Sequence, residues 1–381
     1  GITNAGDFVT DSGTIKLDGN YPTGTGNVAL GDTALDSLTT GNFNTAIGEN
    51  SLTANTEGGT NTGVGSRTLD ENTTGSSNTA VGQGALNANT TADNNTAVGQ
   101  GSLAANTTGA NNVAVGALAL DASTTASNNT AIGASALGAN TTGTENAALG
   151  YIAGEDLTTG DANTFLGTYS GANTTTADSN TAVGRSSLTT NTTGASNTAV
   201  GADALASNTT ASNNTAVGRR ALDANTTGSE NTALGKEALV ANTTAASNVG
   251  VGFKALFTNT TGEQNVGVGD SALRANTTAS GNVAIGHSSL TANTTGSANV
   301  AVGKETLKTV TTGANNTAVG NQALFTNAAS NNTAVGSGVL ALTTTGADNT
   351  ALGSYALEEN TTASVVAFPT PSAPFEALNP K

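Results

Sequence analysis

This chain of 381 residues has almost none of the side chains that build wide cores or reactive sites. It contains no Cys, Met or Trp, and aromatic residues make up 3% of it. The absence of Cys excludes disulfides, Cys-ligated zinc and thiol catalysis. Because bulky aromatic side chains are scarce, we expect a thin core of Val, Leu and Ala.

Residues that could catalyse a reaction or bind a metal do not occur in functional groups. His287 is the only histidine, and a lone histidine forms neither a catalytic triad nor a metal site. The carboxylates are scattered without calcium-loop spacing, and no Gly-rich phosphate loop precedes a helix. We therefore expect no enzymatic activity, no cofactor and no metal.

Positive charge is also scarce, since 11 Lys and Arg stand against 27 Asp and Glu, which gives a formal net charge of −16. This balance argues against nucleic acid as a partner, because phosphate binding requires clustered Lys and Arg. No apolar run approaches the roughly 20 residues that a membrane-spanning helix needs. We therefore predict neither a nucleic-acid partner nor a membrane span.

What the sequence does contain is one 17-residue unit, repeated about twenty times. The unit reads Asn-[Thr/Val]-Ala-[Val/Ile/Leu]-Gly-x-x-[Ala/Ser]-Leu-x-x-Asn-Thr-Thr-[Gly/Ala]-x-x, and its residues are numbered here as positions 1 to 17. Position 1 recurs every 17 residues from Asn27 to Asn316 and, after a one-residue deletion, at Asn332 and Asn349. Because 17 residues cannot bury a core alone, each copy must pack on its neighbours.

The composition of the unit favours an all-β parallel β-solenoid. Thr-Ala-Val at positions 2–4 favours a strand, the following Gly favours a turn, and further extended pieces are expected around Ala-Leu and Asn-Thr-Thr. With one repeat per coil and coils spaced roughly 4.8 Å apart, twenty coils would form a rod of about 95 Å. Gly and Ala tend to alternate at position 15, which leaves open an arrangement with two repeats per coil.

The variation among the copies predicts which positions face inward. Charged residues occupy positions 6, 7, 10, 11, 16 and 17, with Glu57 at position 14 as the exception. Position 4 holds only Val, Ile or Leu, and position 9 is Leu except at Gly154 and Gly171. Since buried unpaired charges are costly, we place positions 4 and 9 in the core. The predicted core ladder comprises Val64, Val81, Val98, Leu69, Leu86 and Leu103.

The asparagine of position 12 has two interpretations. The structural one is a ladder in which each amide bonds the amides of the neighbouring coils. The functional one is N-glycosylation, because Asn-Thr-Thr is an acceptor sequence. Both apply to Asn72, Asn89, Asn106, Asn140, Asn191 and Asn208. The Thr-Thr pair that follows suggests an ice-binding array as a third, weaker function, although only one Thr per coil would point outward.

Two segments without the repeat flank the coils. Residues 1–26 are expected to form a β-rich cap or connector, residues 27–365 the solenoid, and residues 366–381 a Pro-rich tail that docks on a neighbouring subunit. Solenoid ends expose unpaired strand edges, which favours end-to-end contact between copies. The residues predicted to serve this assembly are Phe8, Val9, Ile15, Leu17, Val365, Val366, Phe368 and Phe375.

The unit Asn-Thr-Ala-Val-Gly-x-x-Ala-Leu-x-x-Asn-Thr-Thr-Gly resembles repeats of bacterial and phage tail-fibre-like proteins over residues 27–365. More distantly, Asn-x-Ala-[Val/Ile]-Gly is similar to the head repeats of YadA-type trimeric autotransporter adhesins. The adhesin resemblance implies a left-handed β-roll, usually trimeric, on an extracellular stalk. The heptad stalk, the membrane-anchor barrel and the self-cleaving chaperone domain of these families have no counterpart in the sequence.

These observations predict a structural subunit of an extracellular filament that assembles head to tail, with copies of itself as partners. The alternative is an adhesin or phage tail-fibre segment that binds host surface glycans as a trimer, and ice binding is the third function. All three place the protein outside the cell, on a cell surface or on a virion.

Overall fold

The computed structural model describes residues 24–367 and divides the chain into two compact units, residues 1–193 and residues 194–381. We call them the N-terminal and the C-terminal unit. The described residues form strands and turns and contain no helix. Each of the twenty repeats contributes one three-residue strand, at positions 2–4, where Thr or Val usually precedes Ala or Gly.

The strands of the N-terminal unit are β1 (Val28–Leu30), β2 (Thr45–Ile47), β3 (Thr62–Val64), β4 (Thr79–Val81), β5 (Thr96–Val98), β6 (Val113–Val115), β7 (Thr130–Ile132), β8 (Ala147–Leu149), β9 (Thr164–Leu166) and β10 (Thr181–Val183). Those of the C-terminal unit are β11 (Thr198–Val200), β12 (Thr215–Val217), β13 (Thr232–Leu234), β14 (Val249–Val251), β15 (Val266–Val268), β16 (Val283–Ile285), β17 (Val300–Val302), β18 (Thr317–Val319), β19 (Thr333–Val335), β20 (Thr350–Leu352) and β21 (Val366–Ala367).

Consecutive strands within each unit pair in parallel, with equivalent repeat positions side by side. Thr62 pairs with Thr79 and Val64 with Val81, so one coil takes one repeat of 17 residues. This register rules out two repeats per coil and confirms the predicted all-β parallel solenoid in each unit. In the C-terminal unit β21 pairs with β20, with Val366 beside Thr350, so strand pairing continues past the predicted end at residue 365.

The further extended pieces expected in each coil do not form strands, since the chain turns around Ala-Leu and bends at Asn-Thr-Thr. Positions 7, 9 and 17 adopt left-handed backbone conformations, as at Arg67 (φ 58°), Leu69 (φ 50°) and Ser77 (φ 59°). Such conformations are unfavourable for residues with a side chain. They are stabilised by backbone hydrogen bonds between coils, for example from the Leu69 amide to the Ala85 carbonyl at 3.2 Å. The prediction of further strands was wrong because alternation alone does not reveal these turns.

The glycine of position 5 is required for two reasons. Its φ lies between 117° at Gly82 and 144° at Gly150, a region that residues with a Cβ rarely adopt. A Cβ added at Gly99 would also lie 2.4 Å from the carbonyl oxygen of Gly116 in the next coil. The glycines therefore allow neighbouring coils to approach closely at this corner.

The core is made by positions 3, 8 and 9, and not by position 4. Ala80 and Ala97 at position 3 and Leu86 at position 9 are fully buried, whereas Val81 and Val98 at position 4 are half-buried and point outward. Alternate residues of a strand face opposite sides, so position 4 shares the outer side with position 2. The predicted core placement was therefore correct for Leu69, Leu86 and Leu103. It was wrong for Val64, Val81 and Val98.

One large side chain fits into this narrow interior because two glycines make room for it. Phe165 occupies position 3 of its coil and is fully buried. Position 9 of its own coil is Gly171 and position 9 of the preceding coil is Gly154. A Cβ at either would lie 2.4 or 2.6 Å from the Phe165 ring. The large side chain at position 3 and the glycines at position 9 therefore compensate one another in volume.

Candidate functional site

The asparagines of position 12 form the predicted internal ladder. The Asn89 side-chain amide donates to Asn72 Oδ1 at 2.7 Å and to the Ala92 carbonyl at 3.1 Å, and Asn106 Nδ2 donates to Asn89 Oδ1 at 3.0 Å. The predicted set has no solvent-exposed surface: Asn72, Asn89, Asn106, Asn140, Asn191 and Asn208. The ladder is therefore confirmed for Asn72, Asn89 and Asn106, whereas Asn140, between Ser123 and Leu157, is buried but donates only to the Gly143 carbonyl at 3.0 Å. All six amides are buried, so a folded coil leaves them no access to a glycosyltransferase.

A second column of buried asparagine, at position 1, was not predicted as a ladder. Asn44 Oδ1 accepts the backbone amide of Asn61 at 2.9 Å, and Asn61 Nδ2 donates to the Gly75 carbonyl at 2.7 Å. The same carbonyl accepts Asn72 Nδ2 from position 12 at 2.9 Å. The signal was present in the sequence, because position 1 is Asn in every copy whereas position 12 tolerates Leu, Ser, Thr and Val.

Replacements at position 12 leave buried oxygen atoms without partners. At three places where the following coil lacks Asn, the Oδ1 atom of the preceding Asn has no donor within residues 24–367, whereas Asn327 Oδ1, before Thr343, accepts the Ala329 amide at 3.1 Å. The affected neighbours are Asn106 with Ser123, Asn140 with Leu157, and Asn293 with Val310. An unsatisfied buried acceptor costs about 1–3 kcal/mol, so each interruption is a local weakness in the stack.

The Thr-Thr pair divides into an engaged and an exposed residue. Thr73, at position 13, is half-buried, and its hydroxyl donates to the Thr90 carbonyl of the next coil at 3.0 Å. Thr74, at position 14, is exposed. The pair therefore displays one Thr per coil and uses the other to bond neighbouring coils.

The outer side of the strands, which we call the strand face, consists of the side chains at positions 2 and 4. In the N-terminal unit Leu149 is 52% exposed, and in the C-terminal unit Leu234 is 48% exposed. Position 2 adds mostly Thr or Val, and Ala147 beside Leu149, and no strand residue of either unit carries a charge. Charged side chains lie elsewhere on the coils, and none within residues 24–367 is buried.

A bare face of aliphatic and threonine side chains is unusual for a parallel sheet, because parallel sheets normally have both faces covered. The coil interior covers one face here, and within residues 24–367 no segment of the chain packs over the other. Contiguous apolar surface without charge is typical of the centre of a protein interface. The strand face is therefore the candidate functional site.

The residues predicted to serve end-to-end assembly are described only in part. Val365 is half-buried, and its amide donates to Asn349 Oδ1 at 2.8 Å. Val366, in β21, is 54% exposed. The remaining members of the set lie outside the described residues: Phe8, Val9, Ile15, Leu17, Phe368 and Phe375.

Aromatic and charged side chains interact on the outer turns of the C-terminal unit. Lys254 Nζ lies 5.0 Å from the ring centroid of Phe253 and 5.1 Å from that of Phe257. Glu305 accepts hydrogen bonds from Lys308 Nζ at 2.8 Å and from Gln322 Nε2 at 2.9 Å. These two bonds lower the pKa of the Glu305 carboxyl from its ordinary value of 4.5 to about 2.

No cluster of three or more potential metal ligands occurs among residues 24–367, and no helix of this part is long and apolar enough to cross a membrane. His287 lies exposed at position 6 of its coil.

No protein-family model matches the chain, and no curated protein is significantly similar to it.

Proposed function

We propose that this protein is a non-catalytic structural subunit of an extracellular fibre and that it associates side by side with copies of itself through the strand face. The observation that supports this most is the uncovered apolar face of a parallel sheet. A second copy is the natural occupant, because its strand face has the same coil spacing and the same uncharged side chains. The resemblance to adhesin heads makes three the expected number of copies.

The size of the strand face is sufficient for a specific contact. Ten strands spaced about 4.8 Å apart and about 10 Å long present roughly 500 Å² in the N-terminal unit alone. Two such faces in contact bury about 1,000 Å² in total, which reaches the range of specific interfaces. The absence of charge on the face also keeps the net charge of −16 away from the contact.

The test is the mass of the protein in solution, measured by sedimentation equilibrium and native mass spectrometry. We expect a trimer for the unchanged chain. The triple variant I132T/L149T/L166T should dissociate at the same concentration, because threonine keeps the β preference while removing apolar contact. The matched control T125A/T142A/T159A changes exposed threonines at position 14 of nearby coils and should remain associated.

A monomer at all concentrations would overturn the proposal. So would a triple variant that associates as strongly as the unchanged chain. An associated species with dimer or tetramer mass would keep the strand face as the interface and correct only the number of copies.

End-to-end growth is a second candidate, supported by one observation at the C-terminal unit. β21 pairs on one side with β20, so its other edge is free within the described residues and its Val366 is 54% exposed. Free strand edges accept strands from other molecules. We expect electron micrographs of the unchanged chain to show fibres, and a chain lacking residues 366–381 to show short particles. Short particles for both chains would contradict end-to-end growth and leave the lateral contact standing.

A further inference from the structure

Acceptor sequences for N-glycosylation recur at positions 12 and 17 of the coils, and the structure exposes the asparagines of position 17. The Asn-Thr-Thr sequences of position 12 begin with a buried asparagine such as Asn89, apart from the last, whose Asn360 is half-buried and donates to the Ala363 carbonyl at 3.0 Å. A different acceptor sequence, Asn-Asn-Thr, arises where position 17 is Asn and position 2 of the next repeat is Thr. Its first asparagine is exposed in every copy: Asn94, Asn128, Asn213, Asn315 and Asn331.

Three of these exposed asparagines have free side-chain amides. Asn94, Asn128 and Asn213 lie in left-handed turns with φ between 61° and 63°, and their amides make no hydrogen bond within residues 24–367. The other two are engaged, because Asn315 Nδ2 donates to Asn331 Oδ1 at 3.4 Å and Asn331 Nδ2 donates to a carboxylate in the next coil at 3.1 Å.

The threonine of the acceptor sequence must also be available, and it is free in the same three places. Thr130 and Thr215 are exposed and Thr96 is half-buried, and none of their hydroxyls is hydrogen-bonded within residues 24–367. Asn173 provides a contrast at position 11. It is exposed as well, but the hydroxyl of its threonine, Thr175, donates to a carbonyl of the next coil at 3.0 Å.

We propose that Asn94, Asn128 and Asn213 are the sites at which the folded protein accepts an N-linked sugar from a diphosphate-activated donor. The amide nitrogen would form the new bond to the sugar C1 while the bond between C1 and the diphosphate oxygen breaks. The amide loses one proton and the nucleotide or lipid diphosphate leaves, so no oxidant or reductant is needed. Asn94 and Asn128 lie two coils apart, about 9.6 Å, which separates their sugars.

The experiment uses the folded full-length chain, a soluble N-glycosyltransferase and UDP-glucose, with the products mapped by peptide mass spectrometry. We expect one added hexose at each of the three asparagines and none at position 12. The variant T96V/T130V/T215V should lose all three. Val stands naturally at position 2 as Val113, so this change is compatible with the fold.

Val113 also permits a gain of function. Asn111 is exposed at position 17 in the same left-handed turn, with φ 61°, but Val113 breaks its acceptor sequence. V113T should therefore create a fourth modified site at Asn111. A synthetic peptide of residues 86–98 contains the acceptor sequences of both Asn89 and Asn94. It should be modified at both, because neither asparagine is buried in a peptide.

Two results would overturn the proposal: hexose at position 12 of the folded chain, or no hexose at the three asparagines of both the unchanged chain and I132T/L149T/L166T while the peptide is modified. The proposal does not depend on the strand-face contact. Running the assay in parallel on I132T/L149T/L166T distinguishes a failure of the acceptor sites from an effect of the strand-face contact. If a neighbouring copy covers the asparagines, modification is blocked in the unchanged chain but not in this variant. Absence of hexose in both proteins counts against the acceptor sites.

Discussion

The inner and outer sides of the same strands carry side chains of opposite size. Inside, position 3 is nearly always Ala, and Ala216 is fully buried, whereas outside Leu234 is 48% exposed. The leucine of position 9 fills the interior from the opposite wall, since a Cβ added at Gly250 would lie 3.2 Å from Leu239 Cγ. In so narrow a coil, small size rather than hydrophobicity indicates the inward side, and the larger aliphatic residues remain available for a partner.

Among tests of the difference between the inner and outer sides, the largest change in the free energy of unfolding is expected at Phe165, the bulky residue on the inner side of the described strands. Phe165→Ala should lower the free energy of unfolding by about 3–5 kcal/mol, because it empties a space that no neighbour can fill. Urea unfolding followed by circular dichroism measures the change. Adding Gly154→Leu and Gly171→Leu restores the ordinary coil and should recover much of the loss. A triple variant weaker than the single one would contradict the compensation described above.

The next largest change in stability is expected from a comparison of the inner and outer sides within a single coil. Leu222→Ala removes a fully buried side chain and should cost about 2–5 kcal/mol. Val217→Ala removes an outward, half-buried side chain and should cost less than about 1 kcal/mol when unfolding is measured at low protein concentration. Equal losses would mean that the outer side is part of the core of the single chain.

Substitutions in the asparagine ladder should change the free energy of unfolding by smaller amounts, and one of them should raise it. Asn89→Leu copies the natural leucines of position 12, removes the donor to Asn72 Oδ1 and should cost about 1–3 kcal/mol. Ser123→Asn closes a natural interruption, gives Asn106 Oδ1 a donor and should stabilise the N-terminal unit by about 1 kcal/mol. Thermal unfolding of both variants measures this, and a destabilised Ser123→Asn would contradict the ladder geometry.

The smallest effect concerns the exposed ion pair of Glu305. Because folding lowers the pKa of this carboxyl to about 2, its contribution to stability is present above the ordinary pKa of 4.5 and is lost as the pH falls through about 2. Melting temperatures of the unchanged chain and of Glu305→Gln should therefore differ slightly at pH 7 and converge near pH 2. A difference that grows in acid would have the wrong sign for this pair.

The repeat made the parallel solenoid, the coil length and the outward charged positions predictable, because a 17-residue period cannot be satisfied without stacking. The asparagine ladder of position 12 was predictable for a similar reason, since apolar residues replace its members. The outward orientation of Val64, Val81 and Val98 was not predictable. The alternation in Thr-Ala-Val is the same whether position 3 or positions 2 and 4 face inward. The left-handed turns at positions 7, 9 and 17 were missed because Leu, Arg and Ser do not signal them.

The accessibility of position 4 in the assembled protein tests the central claim most directly, and the absence of cysteine makes the test clean. Leu149→Cys places a thiol on the strand face, and Thr142→Cys places one at exposed position 14 of the preceding repeat. If copies cover the strand face, maleimide should label Cys at position 149 far more slowly than Cys at position 142, and dilution should remove the difference. Equal labelling rates at all concentrations would contradict the account.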